Sequence, residues 1–137
     1  MAYMLDTNIV SYVLKSSASE KLKNHLVECQ KNNEDIFISS ITYAEILHGI
    51  QKVGKPQRLI EALSYFLKIC QVLDWDECCA AAYATLRTEL NKNGITVQSM
   101  DLMIGSHAQA YSMTLITNDH IFEHFKAYSL KVENWQN

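Results

Sequence analysis

The chain has 137 residues, 48% of them hydrophobic, with one proline and a formal net charge of −3. This length and composition are ordinary for a compact fold, so we expect one domain covering residues 1–137. No segment approaches the ~20 consecutive apolar residues of a membrane span, and the N-terminus lacks the pattern of a secretory leader. Because neither pattern is present, we expect a cytoplasmic protein with no membrane association. The acidic balance also argues against a broad basic surface for nucleic acid.

Four cysteines are present without a regular spacing: Cys29, Cys70, Cys78 and Cys79. A chain of this length builds a core without disulfides, so we expect reduced thiols. The adjacent pair cannot clamp one metal ion, because neighbouring side chains on a helix diverge by about 100°. We expect both of these thiols to lie in the core.

Taken in chain order, short apolar runs alternate with segments of helical periodicity. The predicted strands are Ala2–Leu5, Ile36–Ile41, Ile69–Leu73 and Met113–Thr117, with an edge strand at Tyr128–Val132. The predicted helices are Ile9–Leu14, Ile41–Gln51, Pro56–Cys70, Asp76–Asn91 and Ser99–Tyr111. This alternation predicts an α/β fold, a central, mostly parallel sheet flanked by helices. In such sheets, ligands bind at the carboxyl ends of strands, near the point where the strand order reverses.

Four acidic residues follow predicted strands or occupy early turns of predicted helices. Asp6 follows the first strand, and Glu45 lies three residues after Thr42 in a pattern typical of a capping box. Asp101 falls in the first turn of its helix, and Asp119 follows the fourth strand. Helix capping or turn formation explains each of these acids when it is taken alone.

The shared placement of the four acids favours a metal site. The carboxyl ends of parallel strands meet at one edge of a sheet, so these carboxylates should converge there. Helix caps do not need acids at four such places, whereas a hard divalent cation needs several oxygen ligands in one pocket. Converging carboxylates also raise one another's pKa unless a cation is bound. Setting these four of the 15 acidic residues aside leaves 11 against 12 basic residues, so the rest of the chain is nearly neutral.

Four ordered motifs contain these acids: Tyr3–Asn8, Ile38–Ile46, Asp101–Ile104 and Ile116–Asp119. Together they resemble the PIN domain, and the sequence is most similar to the VapC toxins of bacterial type II toxin–antitoxin pairs. The resemblance covers essentially the full chain. At the fourth motif many relatives have Asn where this chain has Asp119, and many have Arg-Pro where it has Ile95 and Thr96.

The resemblance implies a magnesium-dependent endoribonuclease, with manganese as the alternative ion and transfer RNA as a candidate substrate. The magnesium-binding and catalytic set it implies is Asp6, Glu45, Asp101 and Asp119, with Thr7, Asn8, Thr117 and Asn118 as supporting residues. The chemistry implied is hydrolysis of a phosphodiester by a metal-activated water. The resemblance also implies a homodimer and a small cognate antitoxin protein whose segment covers the active site.

Three basic residues are candidates for phosphate contacts: Arg87, Lys92 and Lys126. Isolated surface cations are, however, more often solvent-facing residues with no specific role. The residues alone therefore say little about how RNA would be selected.

Two other functions remain open from the residues alone. His120, Glu123 and His124 match the His-x-x-Glu-His pattern of a class of zinc hydrolases, although only 13 residues follow them to supply a third ligand. The second alternative is a non-catalytic α/β binding module in which the acids only cap helices. In that case the apolar face from Leu59 to Leu67 would dock a protein partner. Magnesium binding discriminates between the nuclease and the binding module.

Overall fold

A computed structural model describes all residues, 1–137. It contains five strands: β1 (Ala2–Leu5), β2 (Asp35–Ser39), β3 (Gln71–Leu73), β4 (Thr114–Ile116) and β5 (Val132–Glu133). Its six α-helices are α1 (Thr7–Leu14), α2 (Glu20–Lys31), α3 (Ser40–Lys52), α4 (Gln57–Phe66), α5 (Glu77–Lys92) and α6 (Ser99–Ala110). A 3₁₀ helix spans His120–Tyr128. The predicted α/β class is confirmed.

The five strands form one sheet in the order β3-β2-β1-β4-β5, and every neighbouring pair is parallel. β1 is central, with Met4 opposite Phe37 of β2 and Leu115 of β4. The chain first adds β2 and β3 on one side of β1 and later adds β4 and β5 on the other side. The strand order thus reverses between β1 and β4. The carboxyl ends of these two strands form the edge where open α/β sheets bind ligands.

Apolar side chains on both faces of the sheet build two hydrophobic cores. Met4 and Leu5 are both fully buried but belong to different cores, because successive strand residues point to opposite faces. One core contains side chains from α1 to α4, and the other contains side chains from α5, α6 and the 3₁₀ helix. Since both faces are covered, polar residues can gather only at the ends of the strands.

Two element boundaries differ from the sequence prediction. β2 ends at Ser39 rather than Ile41, because the Ser39 hydroxyl accepts a hydrogen bond from the Ile41 N–H (3.1 Å) and caps α3. α4 ends at Phe66 rather than Cys70, because residues 67–70 form the connection into β3. Local capping and connections, which hydrophobic periodicity does not report, decide both boundaries.

The prediction missed α2 and misassigned part of the C-terminal segment. α2 has a polar sequence in which the buried residues Leu22, Leu26 and Cys29 form only a narrow stripe, which is a weak periodic signal. Residues 120–128 form the 3₁₀ helix, and the edge strand predicted at 128–132 is instead β5, whose Val132 lies opposite Leu115 of β4.

None of the helices is long and apolar enough to cross a membrane. All four cysteines are free, as expected. The expectation that the adjacent pair lies in the core is correct for Cys79 and wrong for Cys78, which is exposed on α5. Neighbouring positions on a helix face different directions, so one thiol of the pair points away from the core.

Gly105 of α6 packs directly against the buried Phe125 ring, and a Cβ added at this position would lie 2.5 Å from Phe125 Cε2. We expect Gly105→Ala to lower the free energy of unfolding by about 1–3 kcal/mol, because a buried ring has to move. Gly49 of α3 is the matched control, since a Cβ there meets nothing within 4 Å. Gly49→Ala should raise the free energy of unfolding by about 0.5–1 kcal/mol through helix propensity. Urea denaturation measures both effects, and equal stability of the two variants would contradict the packing.

Candidate active site

Asp6 lies at the carboxyl end of β1 and is the most buried of the four predicted site acids, with 3% of its surface exposed. Its backbone N–H donates to the carbonyl of Ile116 (2.9 Å) and extends the contact between β1 and β4. Its carboxylate accepts hydrogen bonds from the Thr7 N–H and the Thr117 hydroxyl, both at 2.8 Å. Asp6 therefore caps α1 and is bound to the end of β4 at the same time.

Thr117 connects Asp6 to Asp119 in the segment that follows β4. The Thr117 hydroxyl donates to Asp6 and accepts a hydrogen bond from the Asp119 N–H (3.0 Å). The Asp119 carboxylate accepts from the backbone N–H two residues further on (3.0 Å) and caps the 3₁₀ helix. Between them, the Asn118 side chain donates to the hydroxyl of Tyr12 on α1 (2.9 Å). These bonds fasten the segment after β4 to β1 and α1.

Glu45 lies in the second turn of α3 and contacts the start of α1. Its carboxylate accepts a hydrogen bond from the Thr7 hydroxyl (2.8 Å), and the Thr42 hydroxyl lies 3.1 Å from that of Thr7. Since a hydroxyl carries one proton, Thr7 donates to Glu45 and accepts from Thr42. The capping-box interpretation is wrong, because α3 already begins at Ser40. Glu45 is instead bound to the residue that follows Asp6.

Asp101 is the third residue of α6 and is partly buried. Its carboxylate makes no hydrogen bond, in contrast to those of the other three acids. A negative charge in the first turn is favoured by the helix dipole, as the sequence interpretation expected. Both carboxylate oxygens of Asp101 are thus available to a ligand.

The pKa values of two of these acids are raised by their burial and, to a smaller extent, by the charges of the other acids. The pKa of Asp6 is raised to about 6, chiefly by burial, with a further contribution from the negative charges of Asp101 and Asp119, while its hydrogen bonds oppose the shift. The pKa of Asp101 is also raised, first by burial and then by the charges of Asp119 and Glu45. We refer to Asp6, Glu45, Asp101 and Asp119 as the carboxylate cluster.

No basic side chain compensates the carboxylate cluster. The four ion pairs of the chain lie elsewhere, each between residues three apart on one helix. The cluster offers hard oxygen donors of the kind that divalent cations such as Mg²⁺ prefer, and a bound cation would lower the raised pKa values. As the side chains stand, no three Asp, Glu, His or Cys residues converge closely enough to hold one ion. The donor chemistry thus fits a hard divalent cation, and direct binding by three carboxylates requires side-chain movement.

The four predicted supporting residues occupy different environments. Thr7 and Thr117 hydrogen-bond directly to acids of the cluster, and Asn118 is bound to Tyr12. Asn8 is exposed on the first turn of α1 and makes no side-chain hydrogen bond. Sequence reasoning did not assign Thr42 or Tyr12 to the site. The signal for Thr42 was its i, i+3 spacing from Glu45, which places both side chains on one helix face.

The zinc-hydrolase hypothesis is wrong. Residues 120–128 form a 3₁₀ helix with three residues per turn, so side chains at i and i+4 diverge by about 120° and His120 and His124 do not face one ion. Glu123 is paired with Lys126 (2.7 Å), and no metal-binding group of side chains exists here. The neighbouring Phe122 and Phe125 are buried in the core.

Each of the three candidate phosphate-contacting cations has an internal partner. Lys92 Nζ lies 3.4 Å from a carboxylate oxygen of Glu89, and Lys126 forms an ion pair with Glu123. The Arg87 guanidinium donates to the carbonyl of Val97 (2.7 Å). None of them is the unpaired surface cation that the sequence interpretation considered.

Two clefts adjoin the carboxylate cluster. The first, of about 110 Å³, lies between α1, α3 and α4, contains Thr7 and Glu45, and has an apolar lining of Leu14, Ile46, Ile50, Val53 and Leu59. The second, of about 230 Å³, is polar and is lined by Thr117, Asn118, Asp119, His120, Glu123, Lys126, Val132 and Asn134. The cluster therefore opens toward one apolar and one polar surface.

The raised pKa of Asp6 predicts pH-dependent stability in the absence of a divalent cation. The folded protein holds the Asp6 proton more tightly than the unfolded chain, in which the pKa of Asp is about 3.9. The contribution of Asp6 to the free energy of unfolding therefore falls as the pH rises from about 4 to about 6, and the loss is complete above that range. Asp6→Asn cannot ionise, so near pH 7.5 it should be more stable than the wild type by about 1–3 kcal/mol.

Urea unfolding with a chelator, near pH 4 and near pH 7.5, measures this difference. Asp35→Asn is the matched control, because Asp35 is exposed at the amino end of β2, away from the cluster. It should show no comparable gain at the higher pH. A gain for Asp6→Asn that is the same at both pH values would contradict the cost of ionising Asp6 in the folded protein.

Comparisons with known proteins identify the family of this chain. The family model described as PIN domain matches residues 3–128. Ribonuclease VapC2 of Rickettsia felis is 38% identical over 135 residues, and tRNA(fMet)-specific endonuclease VapC of Shigella flexneri is 31% identical over 136 residues. Both alignments cover 98% of this chain and 98% of the relative.

A solved structure shows the same fold. The crystal structure of VapBC2 from Rickettsia felis bound to a DNA fragment from its promoter contains a chain that superposes with a TM-score of 0.89 at 37% identity. The superposition covers 98% of this chain and 99% of that chain. The family model, the full-length relatives and the shared fold together show that this chain belongs to the PIN-domain family, within its VapC group of ribonucleases.

Proposed function

We propose that this protein is a magnesium-dependent endoribonuclease toxin that hydrolyses RNA phosphodiester bonds and is inhibited by a cognate antitoxin. The observation that carries the proposal is the buried Asp6 carboxylate, held between β1 and β4 beside three further acids with no compensating cation. A buried carboxylate without a counterion is costly, so a bound cation accounts for the cluster physically. Membership of the VapC group supports RNA as the substrate.

Asp6, Glu45, Asp101 and Asp119 form the proposed metal-binding and catalytic set, with manganese as the alternative ion. The unbonded oxygens of Asp101 support direct binding, whereas the Asp119 carboxylate also caps a helix. Thr7 and Thr117 orient their acidic partners through hydrogen bonds of 2.8 Å. Asn8 and Asn118 complete the proposed supporting residues at the ends of β1 and β4.

Asp6, Glu45, Asp101 and Asp119 would hold the cation, which would supply positive charge against the phosphate and lower the pKa of the attacking water. The chain's own residues orient the carboxylates, and the hydrogen bonds from Thr7 and Thr117 favour the ionised form of Asp6 against the opposing effect of burial. A proton and a cation compete for Asp6, whose pKa of about 6 implies that metal binding weakens below neutral pH. Thr117 favours the cation over the proton, because its hydroxyl stabilises the ionised carboxylate.

Transfer RNA is the proposed substrate class. Relatives named tRNA(fMet)-specific endonuclease, from Shigella flexneri and Salmonella typhimurium, are 31% and 29% identical to this chain over 98% of its length. The polar cleft beside Asp119 supports an RNA strand next to the cluster, because it presents the side-chain amide of Asn134 as a donor. RNA as a substrate supports action in the cytoplasm.

A cognate antitoxin and a homodimer are the proposed protein partners. The apolar cleft that begins at Thr7 and Glu45 supports an antitoxin segment lying over the cluster, because its lining continues from the proposed site onto α4. The comparison structure from Rickettsia felis is a VapBC complex, which supports the same pairing for this chain. We propose that residues 1–137 act in these contacts as one domain.

Asp6→Asn and Asp101→Asn should each reduce magnesium-dependent RNA cleavage by at least about 100-fold, because each removes an anionic ligand from the proposed site. Asp35→Asn is the matched control and should cleave like the wild type, since it neutralises an acid at the opposite end of the sheet. The measurement is incubation of purified protein with total RNA and with transfer RNA, with magnesium or with a chelator, followed by mapping of the cut ends.

Undiminished cleavage by both Asp6→Asn and Asp101→Asn would contradict the proposed site. Cleavage that continues in the chelator would contradict the metal requirement. Magnesium binding without any cleavage would contradict the nuclease function, and absence of both would favour the non-catalytic binding module.

Expression of the protein alone should inhibit bacterial growth, and coexpression of a small protein encoded beside it should relieve the inhibition. Asp6→Asn should not inhibit growth, although it should still bind that partner, because the fold does not need the charge. Growth inhibition by Asp6→Asn equal to that of the wild type would contradict toxicity through RNA cleavage.

Light scattering of the purified protein should give twice the 15.7 kDa mass of one chain. A mass of one chain would contradict the homodimer.

A further inference from the structure

The helix that carries Asp101 begins without a side-chain cap. Gln98, in the capping position of α6, makes no hydrogen bond to the first turn, and the Asp101 carboxylate has no partner of its own. A side-chain cap would bind one of the first N–H groups of the helix and fix its start, and α6 lacks this contact. Two side chains contact the chain on either side of Asp101. One comes from α5, and the other is Trp75, which lies just before α5.

Arg87 of α5 holds the N-terminal side of this turn. Its Nη1 donates to the carbonyl of Val97 (2.7 Å), and its Nη2 donates to the hydroxyls of Tyr83 (3.0 Å) and Ser99 (3.4 Å). The Val97 side chain is buried, so the accepting carbonyl belongs to a residue anchored in the core. The guanidinium carbon lies 5.4 Å from the centre of the Tyr83 ring. No ion pair of the chain includes Arg87.

Trp75 holds the C-terminal side of the same turn. Its indole Nε1 donates to the carbonyl of Met103 (2.9 Å), two residues beyond Asp101. Its backbone N–H donates to the hydroxyl of Ser40 (3.1 Å). Ser40 is the first residue of α3. Its ring also packs edge-on against the Tyr83 ring, with centroids 6.2 Å apart. Trp75 therefore contacts α3, α5 and α6.

We propose that Arg87 and Trp75 form a positioning brace that fixes Asp101 relative to Glu45. The brace contacts the chain at residues 97, 99 and 103, which bracket Asp101, and it contacts the start of the helix that carries Glu45. Tyr83 joins its two members. Neither member hydrogen-bonds to an acid of the cluster, so both act through the residues that flank Asp101. The inference rests on the proposed nuclease function and deepens it.

The geometry favours a positioning role for Arg87 over a phosphate contact. Both terminal nitrogens of the guanidinium already donate to acceptors within the protein. The planar shape of the guanidinium lets its two nitrogens reach these separate acceptors together. Lysine carries the same charge but cannot reproduce this arrangement. A phosphate contact would tolerate lysine, whereas the brace would not. Arg87→Lys therefore separates the two roles.

The test compares Arg87→Lys, Arg87→Gln and Trp75→Phe with the wild type. Arg58→Lys is the matched control, since Arg58 is the other arginine of the chain and is exposed on α4. We expect the three brace variants to lower kcat by about tenfold to 100-fold with little change in KM, because displacement of a site residue by less than about 1 Å suffices for losses of this size.

Magnesium affinity without RNA is the second readout. Thermal unfolding at increasing magnesium concentration should show affinity about tenfold or more lower in the brace variants, as expected when groups that orient a metal ligand are removed. Arg58→Lys should match the wild type in both readouts. Trp75→Phe keeps an aromatic ring beside Tyr83 and removes the indole donor, so it carries the test if an Arg87 variant fails to fold.

Wild-type kcat and magnesium affinity in both Arg87→Lys and Trp75→Phe would overturn the brace. Normal behaviour of Arg87→Lys, with a raised KM and a weaker salt dependence in Arg87→Gln, would assign Arg87 to a phosphate and overturn it as well. Failure of the wild-type protein to cleave RNA would count against the proposed function. The magnesium titration would still decide the brace in that case.

Discussion

Burial of a carboxylate at the end of the central strand is the constraint on which the site depends. The backbone of Asp6 extends the contact between β1 and β4, and its side chain accepts hydrogen bonds from Thr7 and Thr117. Removing an ionised carboxylate from water is costly, and the raised pKa of Asp6 reflects that cost. The two hydrogen bonds offset part of it. The central pairing of the sheet and the charge of the site are therefore physically linked.

The same groups serve both the fold and the proposed chemistry. Asp6 and Asp119 cap the elements that follow β1 and β4, and Asp101 occupies the first turn of α6. In each case the start of a helix favours negative charge, which is the form that binds a cation. Glu45 is the exception, because a hydrogen bond from Thr7 orients it instead. Capping and metal binding were rival interpretations of these acids, and for Asp6 and Asp119 the structure is compatible with both.

The sequence by itself determined the fold class and predicted which acids lie at one edge of the sheet. Apolar runs alternating with helical patterns predict strands and helices because each period reports which face is buried. Acids placed just after strands predict a common edge, because parallel strands end on the same side of a sheet. The polar α2, with its narrow apolar stripe, escaped this reasoning. So did the 3₁₀ segment that excludes the zinc-hydrolase geometry.

Only the tertiary structure decided how these acids are held. Local patterns could not reveal that β4 lies beside β1, that Thr117 bonds to Asp6 from 111 residues away, or that Thr7 bonds to Glu45 from 38 residues away. They also could not show that Arg87 and Trp75 contact the residues on either side of Asp101. Periodicity and spacing report the surroundings of neighbouring residues along the chain. The orientation and pKa of a buried carboxylate depend instead on distant groups that packing brings together.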